Sequence, residues 1–481
     1  MRTAMTLLLA LLLGAFWAAP ARAGAGGGPG RIPAPPGLTS TDVAFTGAGG
    51  LTLYGTVLAP AVKGPPRPGV VLVTGSGAGV PREHLLTEAT EFARRGLAVL
   101  IYDKRSAGYT ALRRDYSELA EDALGGLRAL RARPGVDPRK VGLWGLSEGG
   151  WVAPLAASRS AEAAFVIVVG GNAMTPIRQQ TWNEVSDLRR VGVSGSLIDR
   201  GKPALARLAG DAGVFAEAYF DAPAVLARVR QPLLGVWGEH DLQTPPEDNP
   251  PLFAKALRRG GNDHCTFRFF AGADHAAHLT PDGGITRGPE LAPGYADLVG
   301  AWVRDVTSGK PPAADTATPP GGAATPPHQA HASTEVPPLA WWESRWVHLA
   351  AAVLFLVGFL AYPLAALVRR LRGRRVRPVS RWARLLAGAG LVATFGPVVY
   401  LLSLVAGSDP SPGPVLGGRP LPWLVLQGLA AATVVAAAGT TLAWRRTGAT
   451  VPRGERVRLG LLLAAGAVFV PWGVHWGVLL P

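Results

Sequence analysis

Residues 141–151 read VGLWGLSEGGW and contain the pattern G-x-S-x-G centred on Ser147. The apolar run that ends at Gly145 predicts a buried strand, and the residues after Ser147 begin a helical pattern. A serine at such a strand-to-helix turn projects its hydroxyl above the sheet, and the flanking glycines relieve the crowding of the turn. Because a chain with 62 glycines also produces this pattern by chance, Ser147 is either a nucleophile or a serine in a structural turn.

The surrounding sequence alternates strand-like and helix-like runs. Apolar runs predict strands at 41–45, 51–58, 69–73, 98–102, 141–144, 164–169, 232–237 and 266–270. Helical patterns lie at 83–95, 116–133, 151–159, 251–259 and 294–307. After two initial strands, this order predicts a mostly parallel sheet with helices on both faces. Residues 172–230 contain helical stretches and no strand-like run, which predicts an insertion over one edge of the sheet.

Two positions after late strands could complete a site with Ser147. A serine nucleophile needs a general base, and the base needs an acid that orients it. Asp241 follows the seventh predicted strand, with Glu239 as its rival; its alternative role is that of a solvated or helix-capping acid. His275 follows the last strand, with His278 as second choice for the base. The chain order Ser, Asp, His distinguishes this arrangement from the other orders in which such triads occur.

Backbone N–H groups beside the serine could stabilise an oxyanion. The first donor is expected from Glu148, which follows the nucleophile, and the second from Ser76 in the glycine-rich loop TGSGAG at 74–79. Such a loop can also bind phosphate, but this one has neither the GK[ST] ending nor the GxGxxG spacing that phosphate loops use. The predicted chemistry needs no metal and no organic cofactor.

With these motifs, residues 41–307 resemble an α/β-hydrolase of the serine esterase, thioesterase and aminopeptidase-like branch. The resemblance rests on TGSGAG, YDKRSAG (102–108), GLSEGG, GEHDLQTPP (238–246) and GADHAAH (272–278). It implies that residues 172–230 form a helical lid. It also implies that Asp103 and Arg105 organise the loop beside the site rather than act on substrate. Thr74 departs from the pattern, because many relatives have histidine before the glycine.

The chain ends and the linkers differ in composition from the middle. Residues 1–23 have an early arginine, an apolar core and an A-x-A site, the pattern of an export signal; an uncleaved signal would give the same orientation as an anchor. Residues 24–40 are a Gly/Pro-rich spacer, and residues 308–340 are predicted to form an extended Pro/Ala/Thr-rich tether. The single cysteine, Cys265, permits no internal disulfide.

The last part of the chain, residues 341–481, predicts a membrane region. Four apolar segments, at about 347–368, 385–406, 421–444 and 459–480, are each long enough to cross a bilayer. The first and third connections between them carry eight and five arginines, and the middle one carries one. The positive-inside rule therefore makes the arginine-rich loops cytoplasmic and puts everything before the first segment outside, as the export signal also predicts.

This arrangement also accounts for the basic composition. The formal net charge is +15, and residues 341–481 hold 15 arginines and three acidic residues. Because these arginines flank apolar segments, a lipid bilayer rather than a nucleic acid is the expected partner. His348 and His475 are predicted near the outer ends of their segments among tryptophans, either as part of an interfacial belt or as functional groups.

Together these features predict an exported serine hydrolase, multi-pass in the cell membrane, with its hydrolase domain on the extracytoplasmic side. The predicted reaction cleaves carboxylic esters of small-molecule or lipid-like acyl groups through an acyl-enzyme. One alternative is a serine peptidase, in which Glu184 or Asp187 of the lid would hold a substrate amine. The other is a binding or sensor module without catalysis, because a fold alone does not establish a function.

Overall fold

A computed structural model describes residues 30–110, 112–309, 322–323, 325–373, 380–406, 411–447 and 453–481. The chain divides into two compact units. One, called here the sheet unit, consists of the described residues within 30–183 and 215–335; the other, the helical unit, consists of the described residues within 184–214 and 336–481. The predicted export signal at 1–23 lies outside the described residues.

The sheet unit is built on an eight-stranded sheet in the order β1-β2-β4-β3-β5-β6-β7-β8. The strands are β1 Leu38–Thr46, β2 Thr52–Pro60, β3 Arg67–Val73, β4 Ala98–Tyr102, β5 Val136–Leu146, β6 Val166–Val169, β7 Leu233–Gly238 and β8 Cys265–Phe270. The second strand pairs antiparallel with β1 and β4, and the strands from β3 to β8 pair in parallel. This topology confirms the predicted α/β-hydrolase fold, with all eight predicted strands present.

Helices cover both faces of this sheet. These helices are α1 Leu86–Arg94, α2 Tyr116–Arg131, α3 Gly149–Arg159, α6 Ala222–Leu226, α7 Asn249–Arg259 and α8 Tyr295–Thr307. The helices α4 Pro176–Arg190 and α5 Lys202–Ala212 belong to the segment between β6 and β7. Alternate residues of one strand serve the two faces: Val71 packs in the core with α2, α3 and α7, and Leu72 packs in the core with α1 and α8. Two buried faces explain why the central strands are continuous apolar runs.

The predicted insertion lies between β6 and β7 and is helical, as expected. It contains α4, a π-helical turn at Leu197–Gly201, α5 and α6. Its residues divide between the two units: Glu184–Val214 belongs to the helical unit, and the flanking residues belong to the sheet unit. Five apolar side chains of the insertion are buried in one core with the C-terminal helices, namely Leu188, Val193, Leu197, Ile198 and Ala204.

Among its described residues, the rest of the helical unit contains four helices that are long and apolar enough to cross a membrane, at Arg345–Leu371, Arg381–Val405, Leu421–Arg446 and Gly454–His475. The first is made of α9 Arg345–Phe355, a π-helical turn at Leu356–Leu360, and α10 Ala361–Leu371; the others are α11 Arg381–Ala406, α12 Leu421–Thr447 and α13 Arg453–His475. A short hairpin of β9 Val415–Leu416 and β10 Arg419–Pro420 precedes α12. Exposed valines lie on every one of the four, such as Val353, Val399, Val435 and Val468.

The predicted tether is bound to the sheet unit where the structure describes it. Ala323 exchanges two backbone hydrogen bonds of 2.7 and 2.9 Å with Phe269 on the edge strand β8. Farther along, Trp182 Nε1 donates to the His331 carbonyl oxygen at 2.7 Å. Such hydrogen bonds can fix a segment that lacks large apolar side chains, and its role as an extended tether stays a prediction. Residues 310–321 lie outside the described residues.

The two histidines of the apolar helices are neighbours in the helical unit. The ring centroids of His348 and His475 are 5.2 Å apart, and the Trp476 ring lies 5.7 Å from that of His348. His475 Nδ1 is 3.4 Å from a carboxylate oxygen of Glu343. The interfacial belt and a functional role for the histidines both stay predictions.

Candidate active site

Ser147 sits at a strained turn between β5 and α3. Its φ angle is +56°, a left-handed conformation that non-glycine residues rarely adopt, and its N–H donates to Val169 O at 2.9 Å. A Cβ atom at Gly145 would lie 1.9 Å from Gly149 O, and one at Gly149 would lie 2.3 Å from Val73 O. The G-x-S-x-G spacing is therefore a steric requirement of this turn, which presents the serine as a nucleophile elbow does.

Asp241 and His275 are in direct contact. His275 Nδ1 lies 3.0 Å from each carboxylate oxygen of Asp241, and both side chains are buried. The carboxylate also accepts from the N–H groups of Gln243 and Thr244, at 2.9 and 2.8 Å, and from Thr244 Oγ1 at 2.6 Å. These bonds fix the carboxylate. In the tautomer with the proton on Nδ1, that proton bonds to Asp241 and Nε2 carries the lone pair.

Ser147 and His275 both meet the carboxyl end of β6. The Ser147 N–H binds Val169 O at 2.9 Å. A Cβ atom on the next residue, Gly170, would lie 2.5 Å from His275 Nδ1. His275 Nε2 has no hydrogen-bond partner among the described residues, so the serine hydroxyl is not bonded to it here. Such bonds are often long in free enzymes and tighten when substrate binds. The structure thus joins Asp241 to His275 and places Ser147 at the same sheet edge.

The two rival residues have other partners. His278 Nε2 lies 2.9 Å from Glu88 Oε1, and its Nδ1 lies 3.0 Å from Gly288 O. Both ring nitrogens of His278 therefore face acceptors outside the Asp241–His275 pair. Glu239 is exposed and accepts a hydrogen bond from the Gly272 N–H at 2.8 Å. Geometry favours His275 over His278 as the base.

The glycine-rich loop after β3 lies against the nucleophile. A Cβ atom at Gly75 would lie 3.3 Å from Ser147 Cβ and 3.8 Å from Ser147 Oγ. The two N–H groups expected to form an oxyanion hole, those of Ser76 and Glu148, donate to no backbone carbonyl among the described residues. This leaves both donors available to a substrate oxygen beside the serine.

A buried charge cluster surrounds the Glu148 side chain. Its carboxylate accepts from Lys104 Nζ, from Tyr109 OH at 2.9 and 3.1 Å, and from Arg114 Nη1 at 2.9 Å. Lys104 Nζ also donates to Gly75 O at 2.7 Å. Burial lowers the pKa of Lys104, against the opposing effect of Glu148. Burial and Glu148 together raise the pKa of Tyr109 to about 12.

Sequence reasoning did not find this cluster, although a signal was present. Lys104 stands in the YDKRSAG segment between the two residues whose roles the resemblance implied. Asp103 Oδ1 accepts from the Arg82 N–H at 2.9 Å. Arg105 is bound by Asp122 at 2.6 and 2.9 Å. Both contacts agree with a structural role for Asp103 and Arg105. The lysine between them, at the carboxyl end of β4, is the residue that reaches the elbow.

Within the part of the chain that the structure describes, no group of three or more His, Cys, Asp or Glu side chains could hold a metal ion.

Known proteins give three kinds of similarity. Residues 85–285 match the model of the prolyl oligopeptidase family. A thiohydrolase, aneE of Aspergillus aculeatus, is 30% identical over 151 residues, which are 30% of this chain and 44% of the relative. A polyketide transferase, claH of Penicillium crustosum, is 33% identical over 132 residues, which are 27% of this chain and 43% of the relative. The chain thus spans less than half the length of these curated relatives.

Solved structures resemble the chain at low identity. An acylaminoacyl peptidase of Pyrococcus horikoshii is 21% identical with a TM-score of 0.36, over 49% of this chain and 38% of that chain. A dienelactone hydrolase of Anabaena variabilis is 21% identical with a TM-score of 0.35, over 56% of this chain and 98% of that chain. The strand order of the sheet and the family match over residues 85–285 identify the sheet unit as a member of the α/β-hydrolase superfamily.

Proposed function

We propose that this protein is a serine hydrolase that cleaves carboxylic esters through an acyl-enzyme. The observation that carries the proposal is the buried Asp241–His275 pair, with Nδ1 3.0 Å from both carboxylate oxygens, at the sheet edge where the Ser147 elbow lies. This combination supplies a base, an orienting acid and a half-buried serine nucleophile, the three groups that acyl transfer from a serine requires.

In the proposed reaction, Ser147 Oγ attacks the substrate carbonyl carbon while His275 Nε2 accepts the hydroxyl proton. Asp241 stabilises the imidazolium that forms. The N–H groups of Glu148 and Ser76 bind the oxyanion of the tetrahedral intermediate. When the intermediate collapses, the bond to the leaving oxygen breaks and His275 gives that oxygen the proton. Water, deprotonated by His275, then attacks the acyl-enzyme and releases the acid and the free serine.

Oxygen esters of small-molecule or lipid-like acyl groups are the substrate class we propose first. The similarity to a thiohydrolase supports testing thioesters beside them. A serine peptidase remains the second candidate, because residues 85–285 match the prolyl oligopeptidase family. The carboxylates expected to hold a substrate amine in that case are already paired, Glu184 with Lys202 and Asp187 with Arg190. Esters therefore rank ahead of aminoacyl amides.

Covalent labelling tests the proposal directly. A fluorophosphonate probe should modify the full-length protein at one residue, and peptide mass spectrometry should map the adduct to Ser147. Ser147→Ala should abolish labelling, whereas Ser158→Ala, a change in the neighbouring helix α3, should leave it intact. No labelling of the native protein, or labelling that survives Ser147→Ala, would leave a non-catalytic binding or sensor module as the better explanation.

The bond that is cleaved can be read from a substrate panel on the same protein. We expect kcat/KM for p-nitrophenyl acyl esters and acyl thioesters to exceed that for aminoacyl p-nitroanilides, because the paired lid carboxylates give no amine site. A higher kcat/KM for the anilides would reverse the order of the two candidates.

We further propose that the sheet unit lies on the extracytoplasmic side of a cell membrane, held by the four apolar helices. The support is the arginine excess in the first and third connections together with the export pattern of residues 1–23. In a Cys265→Ser background, Ser308→Cys should react with a membrane-impermeant maleimide in intact cells. Arg372→Cys, in an arginine-rich connection, should react only after lysis. The reverse pattern would put the hydrolase inside.

A further inference from the structure

Lys104 connects the two backbone segments that carry the proposed oxyanion donors. Its ammonium group donates to Gly75 O at 2.7 Å and to the Glu148 carboxylate. Gly75 precedes Ser76, whose N–H is one proposed donor, and Glu148 carries the other. One buried side chain, 5% exposed, thus binds both segments that carry the proposed oxyanion donors.

The bond to Gly75 O has a directional consequence. No cis peptide bond occurs in the described chain, so the Gly75–Ser76 peptide is trans, and its C=O and N–H point in opposite directions across one plane. Holding the carbonyl oxygen with Lys104 therefore fixes the opposite direction for the Ser76 N–H. A hydrogen bond from a cation to the carbonyl also polarises the amide, which makes its N–H a stronger donor.

The rest of the cluster holds Lys104 and the loop in place. Tyr109 OH donates to Glu148 at 2.9 Å and accepts from the Gly77 N–H at 3.3 Å, which gives the glycine-rich loop a second attachment. Lys104 Nζ also lies 4.3 Å from the Tyr109 ring centroid, within the range of a cation–π interaction. Arg114 completes the bonding of the carboxylate at 2.9 Å. The loop is thus bound on both sides of Ser76.

We propose that Lys104 is a positioning residue of the oxyanion hole: it sets the direction of the Ser76 N–H relative to the Glu148 N–H and polarises the Gly75–Ser76 peptide. This inference rests on the proposed hydrolase function. The proposed role of Lys104 differs from that of a purely structural ion pair, because it affects the stability of the transition state as well as that of the folded protein. A misdirected donor weakens binding of the developing oxyanion more than binding of the ground-state ester, so kcat falls and KM changes little.

The test compares Lys104→Met, Lys104→Arg and the matched surface variant Lys63→Met in the full-length protein. Active sites are counted by saturating fluorophosphonate labelling, and kcat is expressed per labelled site. Losing one oxyanion donor outright typically costs about 10²–10³-fold in kcat. Because Lys104→Met leaves the donor present but unfixed, we expect a loss of about tenfold to a hundredfold with KM within about threefold. Lys104→Arg should recover part of this loss in kcat, and Lys63→Met should have the kcat and KM of the native protein.

The pH profile adds a readout that a structural role would not move. Because burial lowers the pKa of Lys104, the ammonium donor is lost as pH rises through a value below that of an ordinary lysine. The kcat of the native protein should therefore fall at alkaline pH, and the kcat of Lys104→Met should show no such fall. Should Lys104→Met not fold, Tyr109→Phe tests the same cluster: it frees the Gly77 N–H and should lower kcat per labelled site by about threefold to tenfold.

The outcomes separate this inference from the function on which it rests. If Ser147→Ala retains turnover, the proposed function fails. If Ser147→Ala is inactive while Lys104→Met keeps native kcat per labelled site and only fewer sites label or the protein melts earlier, Lys104 is structural and the inference is overturned. If Tyr109→Phe is the variant measured, an unchanged kcat per labelled site also overturns the inference.

Discussion

Replacing His275 with alanine is expected to lower kcat for ester hydrolysis about 10⁶-fold, and adding Ser147→Ala to that variant should cost almost nothing more. The reason is that the two side chains act as one unit: without the imidazole the serine hydroxyl keeps its proton, and without the serine the imidazole has no proton to accept. Single-turnover and steady-state rates of the two single variants and the double variant measure this non-additivity.

The matched control for this prediction is His278→Ala. His278 is also buried, three residues further along, but it binds Glu88 and Gly288 O. Its loss should leave the Glu88 carboxylate buried and unpaired, which lowers the melting temperature, while kcat of the folded protein stays within about tenfold. A million-fold loss in His278→Ala, together with an active His275→Ala, would give the base role to the other histidine.

The sheet could be predicted from sequence because of how parallel strands are buried. A strand covered on both faces must be apolar at every position, and the run that ends at Gly145 is an example. Carboxyl ends of parallel strands meet at one sheet edge, so Asp241 and His275 could be placed near Ser147 from strand order alone. These residues could be placed because each follows a strand that has a strong apolar pattern in the sequence.

Lys104 and Tyr109 could not be predicted in the same way. They come from the loop after β4, where no periodicity indicates which side chains are buried. A lysine in a loop is ordinarily solvated, and only the presence of Glu148 makes its burial favourable. Lys104 and Glu148 are 44 residues apart in the sequence, so only the tertiary structure shows that they pair. The resemblance implies roles for Asp103 and Arg105 and none for the lysine between them.

The insertion shows a second limit. Apolar residues repeated along 184–214 indicate that one face of the segment is buried, but the pattern does not show which part of the protein covers that face. The simplest expectation was a lid over the sheet. In the structure these residues belong to the helical unit, where Ser196 Oγ accepts from Trp423 Nε1 at 3.3 Å and from Gln427 Nε2 at 3.2 Å. The helices of that unit therefore provide a core for the insertion as well as candidate spans.

This shared core predicts a large effect at Leu197. Its side chain is fully buried among the C-terminal helices, and Leu197→Asp would put an unpaired carboxylate there. Removing a buried leucine costs about 2–5 kcal/mol, and an unpaired buried charge adds to it, so the free energy of unfolding should fall by at least about 3 kcal/mol. Thermal unfolding and limited proteolysis of the full-length protein in detergent micelles measure the change.

Val191→Asp is the matched control, because Val191 lies in the same segment and is 52% exposed; its effect should stay within about 0.5 kcal/mol. Equal melting temperatures for both variants would contradict a common core of the insertion and the C-terminal helices.

A fragment that ends at Thr307 is expected to be a poor hydrolase for the same reason. It would leave Leu188, Leu197 and Ile198 without the side chains that bury them. Because the segment is continuous with the sheet unit at both ends, we expect the C-terminal helices to contribute to the folding of the insertion.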